Sequence, residues 1–205
     1  LLTKKTNTQY VWTTDDEGYL YVTEPSTASD TNSYSYNLKQ ISLDGTTSQY
    51  IIENLYFQKT DEYIEQYRKN GFTTAEFSTS PDSTLSGGEI TSINVDQTAK
   101  GMFLKTSLAA YWFNMETQKF VMISAYPADL ISYSNDNKKL LFKDEIQYRI
   151  FTFDKTEGDY MTEIGSKKIK NISDISKVSN MQWISNSLYI TYQEDNNIYI
   201  ADKDG

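Results

Sequence analysis

The chain of 205 residues contains no histidine and no cysteine. Without cysteine there is no thiol nucleophile, iron–sulfur cluster or disulfide, and such a chain fits either redox compartment. Without histidine the Ser-His-Asp mechanism, the usual zinc sites and the commonest general base at neutral pH are excluded. Carboxylates, lysines and tyrosines remain as the groups able to do chemistry. Guanidinium groups are scarce: Arg68 and Arg149 are the only arginines. With 19 Lys and Arg against 28 Asp and Glu, the net charge of −9 opposes nucleic-acid binding, because phosphate backbones demand a basic surface. No apolar run approaches the roughly 18 residues of a membrane-spanning helix. Leu1-Leu2-Thr3 shows no signal-peptide pattern and no initiator Met, so an internal or processed piece is expected.

Aromatic residues make up 14% of the chain and Tyr dominates them. Together with abundant Thr and Ile they favour strands over helices. A chain of this length suits one domain, or a large piece of one, and buries enough surface to need no metal or disulfide staple. The lean towards Tyr, Ser, Thr and Asn points to an extracytoplasmic setting, periplasm or cell surface.

A short phrase recurs. An aromatic residue, a polar turn and an apolar strand follow one another from Trp12 through Asp15-Asp16-Glu17-Gly18 to Tyr19-Leu20-Tyr21-Val22. The same order runs from Tyr133 through Asn135-Asp136-Asn137-Lys138 to Leu140-Leu141-Phe142, and from Trp183 past Asn186 to Leu188-Tyr189-Ile190, where the turn reads as shortened. A weaker copy runs from Ile93 through Asp96 to Met102-Phe103-Leu104. Each phrase continues into a third strand (Leu38 to Leu43, Tyr111 to Met115, Ile150 to Phe153, Ile198 to Ala201) and a turn such as Asp44-Gly45. Gly and Asp tolerate the positive φ that hairpins require. A returning strand follows at Gln49 to Phe57, Phe120 to Ser124 and Tyr160 to Ile164. Tyr133 lies 40 residues after Ile93 and Trp183 lies 50 after Tyr133, a period of repeated four-stranded units.

Between the first two units the composition changes. Thr60-Asp61-Glu62 followed by Tyr63, Ile64 and Tyr67 reads as a short helix capped by Thr60, with Arg68 and Lys69 at its far end and Asn70-Gly71 as the stop. Glu65 and Lys69 stand one turn apart and can pair. Tyr63, Ile64 and Tyr67 give the helix one apolar face. Ser78 to Gly88 reads as a loop, and 59–88 as an insertion of the kind that carries function.

The phrase Tyr133-Ser134-Asn135-Asp136-Asn137-Lys138-Lys139-Leu140-Leu141-Phe142 resembles the repeat of TolB-like β-propellers. In that family an aromatic, a serine, a Pro-Asp-Gly turn and two lysines precede an apolar strand. Here Asn135 and Asn137 replace the proline and the glycine. The resemblance implies an all-β fold: a β-propeller of four-stranded antiparallel blades, about four of them or a fragment of a larger ring, with one helical insertion. The blades are expected over 9–58, 89–125, 128–166 and 179–205, with residues 1–6 supplying a fourth strand to the last. A fragment is the favoured alternative, since rings of this family usually hold six or more blades.

Acidic turns at Asp15-Asp16-Glu17, at Asp154 with Glu157 and Asp159, and at Asp202 with Asp204 invite a calcium reading. They are expected instead to form hairpin turns, with no metal and no cofactor. Trp12, Tyr133 and Trp183 are expected to pack between sheets. Tyr111-Trp112-Phe113 must point to both faces of a strand, so one should face a neighbouring sheet or solvent. Tyr111, Trp112 and Phe113, with Tyr63 and Tyr67, are the candidate partner-binding residues. Asn171-Ile172-Ser173 fits a glycosylation acceptor, and Lys167-Lys168-Ile169-Lys170 reads as a solvated loop. Glu53-Asn54-Leu55-Tyr56-Phe57-Gln58 matches, residue for residue, the recognition sequence of a potyviral protease used to remove purification tags. An engineered site and a native strand both stay open, and the alternation of Leu55 and Phe57 favours the strand.

Two functions follow. The first is a non-enzymatic platform for a protein, peptide or glycan partner, with no nucleic acid and no transmembrane segment. The resemblance also implies a second: the gating domain of a prolyl-oligopeptidase-like serine peptidase whose catalytic domain lies outside this chain. A Gly-x-Ser-x-Gly elbow in flanking sequence would mark the second.

Overall fold

A computed structural model describes residues 8–12, 18–27, 32–59, 62–69, 75–78, 84–96, 100–154, 165–169, 172 and 174–202. The chain divides into two compact units, Leu1–Pro127 and Ala128–Gly205.

The first unit runs β1 (Gln9–Trp12), β2 (Tyr19–Pro25), β3 (Ser33–Ser42), β4 (Ser48–Gln58), α1 (Glu62–Lys69), β5 (Ala75–Ser78), β6 (Thr84–Ser86), β7 (Ile90–Val95), β8 (Gly101–Thr106), β9 (Ala110–Asn114) and β10 (Lys119–Ser124). Its strands form two sheets, ordered β1-β2-β3-β4-β6 and β5-β10-β9-β8-β7. Neighbours are antiparallel except β4 and β6, which run parallel with Phe57 opposite Leu85. The sheets share one core, in which Tyr36, Leu38 and Phe57 meet Leu104, Tyr111 and Phe113. Each such side chain contributes about 1.5–3 kcal/mol on burial.

The second unit runs β11 (Ala128–Tyr133), β12 (Lys139–Asp144), β13 (Tyr148–Thr152), β14 (Gly165–Lys168), β15 (Val178–Trp183), β16 (Tyr189–Glu194) and β17 (Asn197–Asp202). Among the described residues these form a four-stranded antiparallel sheet in chain order and a three-stranded one, β15-β16-β17. Leu141, Ile150 and Tyr148 of the first pack with Met181, Ile190 and Tyr192 of the second.

The recurring phrase is a recurring hairpin. Trp12 pairs with Leu20, Tyr133 with Leu140 and Trp183 with Ile190, each the last rung before the turn. Three of the copies close the same bond at the start of the turn: Ser134 N–H donates to Lys139 O (2.9 Å), Ile184 N–H to Tyr189 O (2.9 Å) and Asp96 N–H to Gly101 O (3.0 Å). The turn after Trp183 is therefore as long as the one after Tyr133, not shortened. In the weak copy the equivalent of the aromatic is Val95, opposite Met102, rather than Ile93. The opening strands β7, β11 and β15 each carry a register shift, a bulge that twists the strand locally.

The 59–88 segment differs from its reading as helix plus loop. Beyond α1 it gives one strand to each sheet: β5 pairs with β10 and β6 with β4. The third unit's last strand is found at Gly165–Lys168, paired with β13, so Lys167 and Lys168 belong to a strand and not to a loop. The expected strands at 1–6 and 160–164 lie outside the described residues.

Candidate functional site

Of the five candidate partner-binding residues, the three on β9 are buried. Tyr111, Trp112 and Phe113 on β9 are 0%, 2% and 0% exposed. Alternation along the strand turns Tyr111 and Phe113 to one face and Trp112 to the other. Tyr111 lies edge-on to Phe57 of the neighbouring sheet, ring centroids 5.7 Å apart, and its hydroxyl donates to the Ser86 carbonyl on β6. Phe113 stacks on Phe120 at 4.5 Å. Trp112 covers Gly101 so closely that no side chain fits there. Tyr111 thus faces a neighbouring sheet, as expected of one member, while Phe113 and Trp112 are buried against their own sheet.

Tyr67 is half-buried and packs on the same core as Tyr111, while Ile64 beside it is fully buried. The side chain of Tyr63 lies outside the described residues. Arg68 fastens the helix: its guanidinium donates to the carbonyls of Ala125 (2.7 Å) and Leu108 (3.0 Å) and to Glu65 (2.6 Å). It also lies 4.7 Å from the centre of the Tyr126 ring. Glu65 pairs with Arg68, three residues on, where the sequence offered Lys69.

Acidic side chains in the turns act as staples. Asp44 Oδ1 accepts from Ser42 Oγ (2.7 Å), Thr46 N (3.0 Å) and Thr46 Oγ1 (2.8 Å). Those donors, Ser42 first, hold its carboxyl at about 2. Asp136 accepts from Ser134 Oγ (2.5 Å) and from Lys139 Nζ (3.0 Å). Burial alone would raise its pKa, but the Ser134 hydroxyl and the Lys139 ammonium outweigh burial and lower it. Asp144 accepts from Ile146 N, Gln147 N and the buried Arg149 Nε (2.8 Å). Adjacent turns of the second unit are tied together, Asp136 N–H donating to Ser187 Oγ (3.0 Å).

Among the described residues no three Asp or Glu side chains gather into a metal-binding group. Of the calcium candidates, Asp15, Asp16, Glu17, Glu157, Asp159 and Asp204 lie outside the described residues, as do Asn171 and Ser173 of the glycosylation motif. No described helix is long and apolar enough to cross a membrane.

Exposed apolar side chains include a group on β16 and β17 that sequence reading did not single out. Leu188, Tyr189, Ile198, Tyr199 and Ile200 are 44%, 42%, 79%, 41% and 66% exposed. Tyr199 stacks on Tyr192 at 5.3 Å. The run Ile198-Tyr199-Ile200 was the available signal, because it lacks the polar alternate residues of a half-buried strand.

No family model and no curated protein matches the sequence. Several solved structures are similar at low identity. TolB from Acinetobacter baumannii matches 95% of this chain and 52% of its own, with 11% identity and a TM-score of 0.41. The periplasmic gluconolactonase PpgL of Pseudomonas aeruginosa matches 89% of this chain and 49% of its own, with 10% identity and a TM-score of 0.42. For Hsv2p of Kluyveromyces lactis the figures are 94%, 75%, 10% and 0.33. The chain thus spans about half the length of the first two structures.

Proposed function

We propose that this chain is a non-enzymatic β-propeller, or part of one, that serves outside the cytoplasm as a platform for a protein, peptide or glycan. The observation that carries this reading is the engagement of its polar chemistry in the fold. Asp44, Asp136, Asp144, Lys139, Arg68 and Arg149 all hold turns or clamp elements. No histidine or cysteine exists to do other work. The repeated hairpin, with its common closing bond and bulged first strand, supports the propeller architecture. The lean of the composition towards Tyr, Ser, Thr and Asn supports the extracytoplasmic setting.

Arrays of peptides and of glycans, probed with the labelled chain, test this reading. Saturable retention of one ligand class is expected. Failure of every peptide and glycan to bind would contradict it.

A further inference from the structure

Arg68 ties helix α1 to two separate places in the first unit. Its Nη2 donates to the Leu108 carbonyl in the β8–β9 turn (3.0 Å), and its Nε donates to the Ala125 carbonyl just past β10 (2.7 Å). The guanidinium also lies 4.7 Å from the centre of the Tyr126 ring. Glu65, one turn back on the helix, accepts from Nη1 (2.6 Å) and holds the fork in position. A planar guanidinium can meet all these partners at once, which a lysine ammonium, a compact hydrated point charge, cannot. Ala125 and Tyr126 immediately precede Pro127, the last residue of the first unit. One side chain thus joins the helix to the connector that leads into β11.

The turn that Arg68 grips is also closed from within. Thr106 N–H donates to the Ala109 carbonyl (2.9 Å), and Thr106 Oγ1 accepts from Ala109 N (3.0 Å) and Leu108 N (3.4 Å). The β12–β13 turn is built in the same way. Asp144 N–H donates to the Gln147 carbonyl (3.0 Å), and Asp144 Oδ1 accepts from Ile146 N (3.0 Å) and Gln147 N (2.9 Å). There Ile146, the counterpart of Leu108, is 52% exposed. A turn of this design therefore keeps its shape with that position open to solvent. The helix is less self-sufficient. It has 8 residues, and a free helix shorter than about 12 residues is unstable in water. Fully buried Ile64 and partly buried Tyr67 seat it on the core, and Arg68 fastens it.

We propose that α1 is a latch: it detaches and unfolds as one piece while both sheets of the first unit stay intact, and Arg68 sets how often it does so. Detachment loosens the Ala125–Tyr126 connector in the same event. A ligand that binds one state better than the other then acts on helix and connector together. The inference goes beyond the platform reading and stands or falls apart from it.

The test is amide hydrogen exchange of the full chain, read residue by residue by NMR. In the wild type the helical amides of residues 66–69 should exchange through a local opening, about tenfold or more faster than the amides paired between β8 and β9. Arg68→Lys keeps the charge and removes the fork. It should speed exchange of residues 66–69 and of Tyr126 N–H, which Ser124 Oγ accepts at 3.2 Å, by a further factor of about ten. Ala109 N–H, held by Thr106, and the β8–β9 ladder should keep their wild-type rates. Tyr126→Leu removes the ring beside the guanidinium and leaves both carbonyl bonds, so it should speed residues 66–69 to a smaller extent. Should the Arg68 variant fail to fold, the Tyr126 variant decides by the same pattern. Equal protection of α1 and the β8–β9 ladder in the wild type would overturn the proposal, because the helix would then open only with the whole unit. Unchanged α1 rates in the variants, or equal acceleration of helix and strands, would overturn it as well.

Discussion

At Gly101 the backbone passes directly beneath Trp112, and an added Cβ would stand 1.8 Å from Trp112 Cζ2. Gly101→Ala must displace the indole, and overpacking of this kind costs about 1–3 kcal/mol. Urea unfolding should show a lower midpoint with an unchanged slope. Phe113→Ala removes a fully buried ring stacked on Phe120 and should cost about 3–5 kcal/mol. An unchanged midpoint in either variant would return the triplet to the list of surface groups. Asp136 makes a pH prediction. Its folded-state pKa lies below the ordinary 3.8, so its contribution is present above that value and is lost as pH falls through the lower folded value. Asp136→Asn leaves the buried Lys139 ammonium without its carboxylate and should cost about 1–3 kcal/mol at neutral pH. The deficit relative to wild type should shrink in acid, and a pH-independent deficit would contradict the ion pair. At the alkaline end, burial raises Tyr36 to about 12 from 10.0. Stability should therefore fall between those values, as the unfolded chain ionises first.

At the scale of elements, the hairpins were the legible part. The TolB-like phrase led to the right turn because the position of the family's glycine is held here by Asn137, with φ of 51°, a conformation asparagine tolerates. Counting polar letters failed after Trp183, where Ser187 takes the same conformation with φ of 56° and nothing in its side-chain type announces it. Strands β5 and β6 were not legible. They are four and three residues long and are defined by partners distant in sequence, β10 and β4, so local propensity carries little of their signal. The alternating Leu55 and Phe57 did place Glu53–Gln58 in a strand, and β4 sits between β3 and β6. The Gln58 carbonyl accepts from Gly88 N–H (3.0 Å), and Lys59 N–H donates to Asn32 O (2.9 Å). The potyviral protease needs that segment extended and free. The bond after Gln58 should resist cleavage in the native protein and yield only after denaturation. Rapid clean cutting of the folded chain would show that β4 is not held in its sheet.

For the whole molecule, composition excluded more than it assigned. The absence of histidine and cysteine leaves few catalytic classes to this chain, and its net charge of −9 opposes nucleic-acid binding. The aromatic triplet drew attention because aromatics are common at binding surfaces, yet burial of Tyr111, Trp112 and Phe113 depends on which sheets meet, and spacing along one strand does not encode that. The exposure of Ile198, Tyr199 and Ile200 escaped notice for the same reason, since the run reads like any buried strand. The central claim is that this chain recognises a partner without transforming it. Its most direct test is a turnover assay of the purified chain over a panel of ester, lactone, amide and glycosidic substrates. No turnover above buffer is expected at any pH. Saturable turnover that disappears when a single Asp, Glu, Lys or Tyr is replaced, with the fold intact, would contradict it.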